Sequence, residues 1–460
     1  MTDSLTAALA QFVASPTFGS ERERAYAIAK TGMTDTIGTM MAGANEPVVD
    51  ILMRHFESVN EPAQAPLPYF DNLLKPTTVA ACLNATTGHA LDYDDVALAG
   101  HPSVVLTAAI LAQGHLLQIT GEQALKAYIV GYEVWAELIA REPGKYHLKG
   151  WHPTAVLGVV GAAASVAYLN GLDAQQSSVA LAIAASMASG LVANFGSMTK
   201  PYHAGRAAAN AIEAVQLAQL GMTASPDVFE HGAGYLNALS VEQNADRTSP
   251  ASRLGRELRI LETGLSIKRY PVCYSCHRVI DGTLSLANEY DLQADDVQSV
   301  HVTLGPAQAL MLRNHRPQTG LEAKFSIEFA ISSAIVAREV GLLQLTDEFV
   351  RTPQIQALFE TVTSEINDKP CPLEPAFAYS DRVTITLKDG RVLDSGEIRF
   401  PLGNAENPMS DADLRAKFLD CCAYAKSMGV ARMKSDPQAL YERLLHLERL
   451  DNLQRLFESD

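Results

Sequence analysis

The chain has 460 residues, of which 47% are hydrophobic and 19% charged, and its formal net charge is -16 at pH 7. This length allows two or more domains with a large buried core, and the composition is typical of a soluble globular protein. The acidic balance argues against a nucleic-acid partner, because phosphate contacts need a basic surface. An anionic ligand would need a local cluster of Lys, Arg and His side chains.

The N-terminus and the cysteine content predict a cytoplasmic protein. Residues 1–18 contain no basic stretch followed by a long apolar run, so no secretory signal is predicted. Six cysteines are few for this length, and we expect reduced thiols.

Helical patterns dominate up to about residue 265, where apolar residues recur at helical spacing or run continuously. Gly and Pro mark the ends of these patterns. The predicted helices span residues 77–90, 104–119, 122–142, 155–169, 177–194 and 206–220.

Two stretches, residues 150–172 and 174–199, contain no Asp, Glu, Lys or Arg. They are long enough to cross a bilayer, but they consist largely of Ala, Gly and Ser and are interrupted by polar residues and Pro153. Such a pattern favours helices buried in a large helical domain, and no membrane association is predicted.

The pattern changes after about residue 266, where a smaller α+β domain is predicted. Residues 297–304 alternate like a strand, residues 322–340 form an amphipathic helix, and Asp389-Gly390 joins two strands at 382–388 and 391–400. Helices return at 411–428 and 437–457. The predicted fold is therefore mainly α, with a helical domain of residues 1–266 and 405–460 and an α+β domain of residues 267–404.

The first chemical motif is GHALDYDDVALAGHPS, residues 88–103, in which Asp92, Asp94 and Asp95 precede His101. Asp92 and Asp95 are three residues apart, so we expect them to share a helix face and to converge on one site. The alternative is a solvated helix end. The apolar surroundings favour a site, since an unpaired buried charge is costly.

Two further motifs carry basic groups beside the uncharged stretches. In GWHPT, His152 precedes a long uncharged helix, whose start could bind a carboxylate, although a helix cap is an equal alternative. In NFGSMTKPYHAGRAA, Lys200 and His203 are the first basic residues after the uncharged run, and Lys200 is expected in a Pro-broken connection. Lys200 either reaches solvent or points into a cavity.

The fourth motif, IKRYPVCYSCHRVIDG, contains Lys268, Arg269 and His277 at the predicted domain junction, where ligand pockets are common. It is the positive cluster that an anionic ligand would need, or else a basic patch that pairs with the acidic surface. Its C-x-x-C pair lacks the partners of a zinc site and the βαβ context of a redox site.

These four motifs, in this order and at these separations, resemble the MmgE/PrpD family, which includes 2-methylcitrate dehydratase, cis-aconitate decarboxylase and iminodisuccinate epimerase. The resemblance runs from about residue 5 to 440. It implies a helical domain made of both chain ends, a smaller lid domain, an active site between the two domains, a homodimer and no cofactor or metal. It assigns to the site Asp92, His101, His152, Lys200, Lys268 and His277.

Some residues depart from the family pattern. Val96 replaces a hydroxyl residue that commonly follows the acidic run, and Phe329 stands near the position of a tyrosine associated with the decarboxylase. The residues of the GWHP and NFGSMTKP motifs are more similar to the iminodisuccinate epimerase branch than to 2-methylcitrate dehydratase.

The sequence therefore predicts a cofactor-independent lyase or epimerase that moves a proton next to a carboxylate of a small di- or tricarboxylic acid. His101, oriented by Asp92, would transfer the proton, with Lys200 and His152 as further catalytic groups. Substrate carboxylates would be held by Lys268, Arg269, His277 and His203. The alternatives are a magnesium-dependent prenyl-diphosphate enzyme using Asp92–Asp95, an iron–sulfur hydro-lyase using Cys273, Cys276 and one further cysteine, and a non-catalytic polycarboxylate binder.

Overall fold

The computed structural model describes residues 4–142, 146–373, 377–429 and 432–459. The chain divides into two compact units. Unit 1 comprises Met1–Leu265 and Ser410–Asp460, and unit 2 comprises Ser266–Met409. The boundaries predicted from the sequence lie after residues 266 and 404.

Unit 1 is mainly helical, with one short antiparallel strand pair, β1 (Ala65–Leu67) and β2 (Leu73–Lys75). Its helices before unit 2 are α1 (Leu5–Ala14), α2 (Arg22–Gly43), α3 (Pro47–His55), α4 (Thr77–His89), α5 (Pro102–Leu117), α6 (Gly121–Ala140), α7 (Tyr146–Lys149), α8 (Pro153–Val156), α9 (Gly158–Leu169), α10 (Ala174–Ser186), α11 (Thr199–Gln219), α12 (Tyr235–Leu239) and α13 (Ile260–Thr263).

The core of unit 1 is a group of closely packed helices in which α11 contacts both α4 and α9. Small residues allow this approach: a Cβ atom on Gly205 of α11 would lie 2.5 Å from the carbonyl oxygen of Cys82 on α4. The two backbones are therefore almost in contact. This packing holds the start of α11 and the end of α4, which carry the residues of the candidate site.

The uncharged stretches form buried structure but not two continuous helices. Residues 150–172 contain α8 and α9, whereas in the second stretch α10 ends at Ser186. The predicted helix over 177–194 is therefore too long, because an uncharged composition does not distinguish helix from the turns that follow. No helix in the described part of the chain has the length and hydropathy needed to cross a bilayer.

Unit 2 combines short helices with a four-stranded sheet. Its helices are α14 (His277–Glu289), α15 (Pro306–Met311), α16 (Gly320–Ala323), α17 (Ile327–Val336), α18 (Asp347–Val350) and α19 (Pro353–Phe359), and its strands are β3 (Val297–Leu304), β4 (Val362–Ile366), β5 (Arg382–Leu387) and β6 (Val392–Asp394).

The sheet order is β4-β3-β5-β6, with β4 parallel to β3 and the other neighbouring pairs antiparallel. Strand β3 has the predicted bounds, and its buried residues alternate as expected for a sheet with one covered face. The second strand of the predicted hairpin is shorter than expected, since β6 ends at Asp394. The predicted helix over 322–340 is broken between α16 and α17, where Ser326 caps the second helix.

After unit 2 the chain returns to unit 1 through α20 (Asp411–Ser427) and α21 (Pro437–Leu445). Helix α20 packs on α2, where Phe418 lies against Gly38. The predicted helix over 437–457 ends earlier than expected and is followed by short 3₁₀ turns. The fold is thus mainly α with a small sheet part, as predicted.

Candidate active site

The chain leaves α4 at His89 and turns into the acid segment, which we define as residues 92–95. Asp92 has a φ of 52°, in the left-handed region that Asp adopts more readily than most residues. Its N–H donates to the carbonyl of His89 at 3.0 Å. The prediction that Asp92 and Asp95 share a helix face is wrong, because the helix ends before either residue. The alternative of a solvated helix end is also wrong, since Asp92, Asp94 and Asp95 are buried.

Asp92 forms a buried ion pair with Lys200. The Nζ atom of Lys200 donates to Oδ1 of Asp92 at 2.6 Å, and both side chains are 6% exposed. Lys200 lies in the first turn of α11 and not, as predicted, in a connection between helices. Nε2 of His101 lies 3.7 Å from the same Asp92 oxygen. An ammonium group and an imidazole therefore approach one carboxylate oxygen.

Asp94 lies between two imidazoles. Nδ1 of His89 is 2.9 Å from both carboxylate oxygens, and Nδ1 of His101 is 3.3 Å from one of them. Burial by itself would raise the pKa of Asp94, but the charges and hydrogen bonds of His89 and His101 hold that pKa below its usual value. Burial lowers the pKa of His89 to about 4, so a neutral His89 donates its Nδ1 proton to an ionised Asp94.

His101 therefore has a carboxylate near each ring nitrogen. Its backbone N–H donates to Oγ1 of Thr154 at 3.1 Å, which fixes the start of α5. Its side chain is 12% exposed, twice the exposed fraction of Asp92 beside it. An imidazole held in this way can exchange a proton with a ligand while its ring stays oriented.

His152 and His203 form a second group, which we call the imidazole pair. Their Nδ1 atoms are 3.2 Å apart, so one ring donates and the other accepts. The ring of His152 stacks with that of His89 at 5.8 Å between centroids. Burial lowers the pKa of His152 well below its usual value and lowers that of His203 to about 4. Both imidazoles are neutral at pH 7.

Phe195 connects the acid segment with the imidazole pair. Its ring packs edge-on against His152 at 4.8 Å, and the Nζ atom of Lys200 lies 5.1 Å from its centroid. The proposed helix start at His152 is weak, because α8 has only four residues. The N–H of His152 itself donates to the carbonyl of Gly190 at 3.0 Å. Any carboxylate binding by His152 must therefore rely on its ring.

The predicted residues of unit 2 differ in exposure. Lys268 and His277 are buried, whereas Arg269 is exposed and its guanidinium lies 5.6 Å from the centroid of the Tyr270 ring. His277 is the first residue of α14, and its ring contacts the rings of Tyr270 and Tyr274, each at 5.1 Å between centroids. The assignment of these groups to substrate carboxylates stays a prediction.

Sequence reasoning missed two residues of the acid segment's surroundings. His89 lies in the quoted motif, and its spacing of five residues from Asp94 could have indicated a pair across a turn. Phe195 lies in the NFGSMTKP motif, and its position shortly before Lys200 is the only sequence signal that could have placed it in the site. Phe329, a possible substitute for a tyrosine, lies instead in a buried apolar cluster of unit 2, with Val350, Ile355 and Phe359 among its members.

Four side chains could in principle share a metal ion. One ligand atom from each of His89, Asp92, Asp94 and His101 lies within 4.8 Å of the others. However, the ammonium of Lys200 already contacts Asp92, and a bound cation would repel it. In the part of the chain that the structure describes, no cluster of three or more metal-ligating side chains includes Cys273 or Cys276, so the iron–sulfur alternative gains no support.

Comparison with known proteins decides the family. The model of the MmgE/PrpD N-terminal domain matches residues 7–248, and that of the MmgE/PrpD C-terminal domain matches residues 270–439. The chain belongs to the MmgE/PrpD family. The membership predicted from the four motifs is thereby confirmed.

Curated relatives of this MmgE/PrpD protein include cis-aconitate decarboxylases. The enzyme of Homo sapiens is 27% identical over 430 residues, covering 91% of this chain and 88% of the relative. That of Mus musculus is 28% identical over 398 residues, covering 84% and 79%. That of Aspergillus terreus is 25% identical over 455 residues, covering 94% and 90%. These relatives match this MmgE/PrpD chain along most of its length.

Proposed function

We propose that this protein is a cofactor-independent lyase or isomerase that moves a proton next to a carboxylate of a small di- or tricarboxylic acid. The observation that carries the proposal is His101, a partly exposed imidazole with Asp92 and Asp94 beside its two nitrogens and the Lys200 ammonium on the same Asp92 oxygen. Such a group is suited to general acid/base catalysis, which typically contributes about 10²–10⁴-fold.

The reactions of this class share one difficulty. Negative charge develops on a carbon beside a carboxylate, and fixed cations and hydrogen-bond donors stabilise that charge. Lys200 is a buried cation next to the proposed acid, and the rings of His152 and His203 can offer N–H donors. We assign the substrate carboxylates to these groups and to Lys268, Arg269 and His277, as the family resemblance implies.

A lyase reaction is the net reaction that we favour, because the curated relatives are cis-aconitate decarboxylases. In a decarboxylation the bond between a carboxylate and its carbon breaks, and carbon dioxide leaves. The electron pair stays on the substrate and is delocalised toward a neighbouring carboxylate. Protonated His101 then supplies the proton that forms the new C–H bond.

Epimerisation is a second candidate, favoured by one observation. Lys200 and His101 are two separate proton-carrying groups at the same Asp92 oxygen. An epimerase needs one group to remove a proton from a carbon and another to return a proton to the opposite face. In that reaction the carbon skeleton is unchanged, and no product other than the second stereoisomer forms.

The test is a proton NMR assay in D₂O with cis-aconitate, citrate, 2-methylcitrate and iminodisuccinate as separate substrates. Decarboxylation gives a product with one carboxylate fewer, and dehydration gives new vinyl signals. Epimerisation gives deuterium in the substrate without a new skeleton. The variant His101→Asn, purified in the same way, controls for contaminating activity.

We expect turnover with at least one of these acids by the wild type and a loss of turnover in the variant. Thermal stabilisation by an acid without any turnover or exchange would contradict the enzyme proposal and support a polycarboxylate-binding protein. Activity that disappears on chelation and returns with Mg²⁺ would instead support the prenyl-diphosphate alternative. A homodimer and a cytoplasmic location also remain proposals, the first testable by sedimentation.

A further inference from the structure

Besides Lys200 and Asp92, a second buried lysine–aspartate pair lies next to the acid segment. Lys417, on α20, places its Nζ atom 2.6 Å from Oδ1 of Asp35 on α2. The two side chains are 6% and 3% exposed. A lysine is rarely buried to this degree unless it is paired. The pair therefore fixes the position of the ammonium group inside unit 1.

The same ammonium contacts the middle of the acid segment. It donates to the backbone carbonyl of Tyr93 at 2.8 Å and lies 4.0 Å from the centroid of the Tyr93 ring. Lys417 thus binds both the backbone and the side chain of one residue. Tyr93 is the residue between Asp92, which pairs with Lys200, and Asp94, which contacts His89 and His101.

The acid segment needs such a contact because its backbone is irregular. Asp92 lies in the left-handed region, and Leu98 and Ala99 follow with φ of 51° and 59°. Backbone in this region persists only where surrounding groups hold it. Trp135 holds the turn that follows the acid segment by donating to the carbonyl of Leu98 at 3.2 Å, and Lys417 holds the acid segment itself.

We propose that Lys417 is a positioning residue for the catalytic machinery. It acts through Tyr93 to set the directions of Asp92 and Asp94, and Asp35 keeps the ammonium in place. This inference rests on the proposed function, because it assumes that Asp92 and Asp94 orient a catalytic His101. It differs from a role in packing alone, which would affect the stability of unit 1 but not the geometry of the acid segment.

The first experiment compares Lys417→Met with the control Lys426→Met, which removes an exposed lysine of the same helix. Methionine keeps most of the side-chain volume but cannot donate to Tyr93. Hydrogen–deuterium exchange is measured for peptides covering residues 88–103, which contain the mutual N–H to carbonyl bonds of Ala97 and Gly100, and for peptides of α9. We expect faster exchange in residues 88–103 of Lys417→Met alone, with α9 unchanged.

The second experiment measures turnover of the substrate found in the NMR assay. A displacement of about 1 Å in a catalytic group can cost about 10²-fold in rate, so we expect kcat of Lys417→Met to fall by about that factor while KM changes much less. Lys417→Arg should recover most of kcat, because a cavity of about 200 Å³ beside Asp35 and Lys417 offers room for the larger guanidinium.

Unchanged exchange in residues 88–103 would overturn the proposal, as would a kcat equal to that of the wild type. Faster exchange throughout unit 1 would also overturn it, since that result indicates a role in stability alone. If kcat of Lys417→Arg is no higher than that of Lys417→Met, the loss of activity comes from altered packing and not from the lost contact with Tyr93. That result would also overturn the proposal. The exchange experiment needs no substrate, so its result stands even if the wild type turns over none of the tested acids and the proposed function fails.

Discussion

The two halves of the candidate site handle charge differently. In the acid segment and its surroundings, His89 and His101 each face a carboxylate, and Lys200 pairs with Asp92. In the imidazole pair, His152 and His203 face each other, and His152 also packs on Phe195. Both halves are largely buried, but among the described residues only the first places carboxylates beside its histidines.

This difference separates two functions that histidine can have. In the acid segment's surroundings, His101 is partly exposed and has a carboxylate near each ring nitrogen, so its oriented ring can exchange a proton with a ligand, whereas burial keeps His89 neutral despite Asp94. In the imidazole pair burial keeps both rings neutral, so they can donate and accept hydrogen bonds without changing charge. We infer that proton transfer belongs to the first half and ligand orientation to the second.

Removing His101 should have the largest effect. We expect His101→Asn to lower turnover by about 10²–10⁴-fold, because the proposed acid is lost while the surrounding charges remain. The measurement is the initial rate in the NMR assay, together with the thermal melting curve. The control His55→Asn, which removes an exposed histidine of α3, should match the wild type. If the folded His101→Asn variant keeps wild-type turnover, His101 does not transfer the proton.

Removing Lys200 should affect both activity and stability. Lys200→Met leaves the buried carboxylate of Asp92 without its 2.6 Å partner, and breaking such a pair typically costs about 3–5 kcal/mol. We expect kcat/KM to fall by about 10²–10³-fold as well, since a cation near developing charge is lost. The double variant Asp92→Asn/Lys200→Met should regain stability in urea unfolding but not activity. Recovery of activity would show that the pair is only structural.

The imidazole pair should make stability depend on pH. An unfolded histidine binds a proton below a pH of about 6.5, whereas burial lowers the pKa of His152 in the folded protein well below that value. The unfolded state then binds more protons, so stability is lost as the pH falls below about 6.5. We expect the melting temperature of His152→Asn to fall less between pH 7 and pH 5 than that of the wild type or of His55→Asn. Parallel curves would contradict a buried neutral His152.

Asp95 should change the pH dependence of stability in the opposite direction to His152, and by a smaller amount. Burial and the charges of Asp35 and Asp94 raise the pKa of Asp95 well above its usual value. The folded state therefore binds a proton that the unfolded state releases above a pH of about 4, and this carboxyl destabilises the fold as the pH rises. Asp95→Asn imitates the protonated form. We expect a higher free energy of unfolding at pH 8, measured by urea unfolding, and a gain that shrinks as the pH is lowered toward 4.

Sequence patterns predicted the mainly helical fold well because long helices leave strong periodic signals. They failed where the pattern changes over a few residues. The uncharged residues continue to residue 199, so the sequence did not indicate that α10 ends at Ser186. The prediction of a helix face for the acidic residues after α4 was wrong because Asp92 has a left-handed backbone conformation. Turns of this kind depend on contacts from distant segments, which spacing within one motif cannot show.

The motifs named five residues of the candidate site and one of its pairings, His101 with Asp92, but not the other contacts. Asp92, His101, His152, Lys200 and His203 were all predicted, and the structure brings these five together in unit 1. The pairing of Asp94 with His89 and the contact of Lys417 with Tyr93 were not predicted. The second contact joins residues 324 positions apart, and no local pattern carries that information.

The return of α20 to unit 1 makes the order of synthesis important. By the time residue 203 has left the ribosome, the nascent chain already contains every proposed acid, base and imidazole of unit 1. It still lacks Ser410–Asp460, the segment that supplies Lys417. A chain released early by a nonsense mutation in unit 2 would therefore carry all of these reactive groups without the segment proposed to hold them in place.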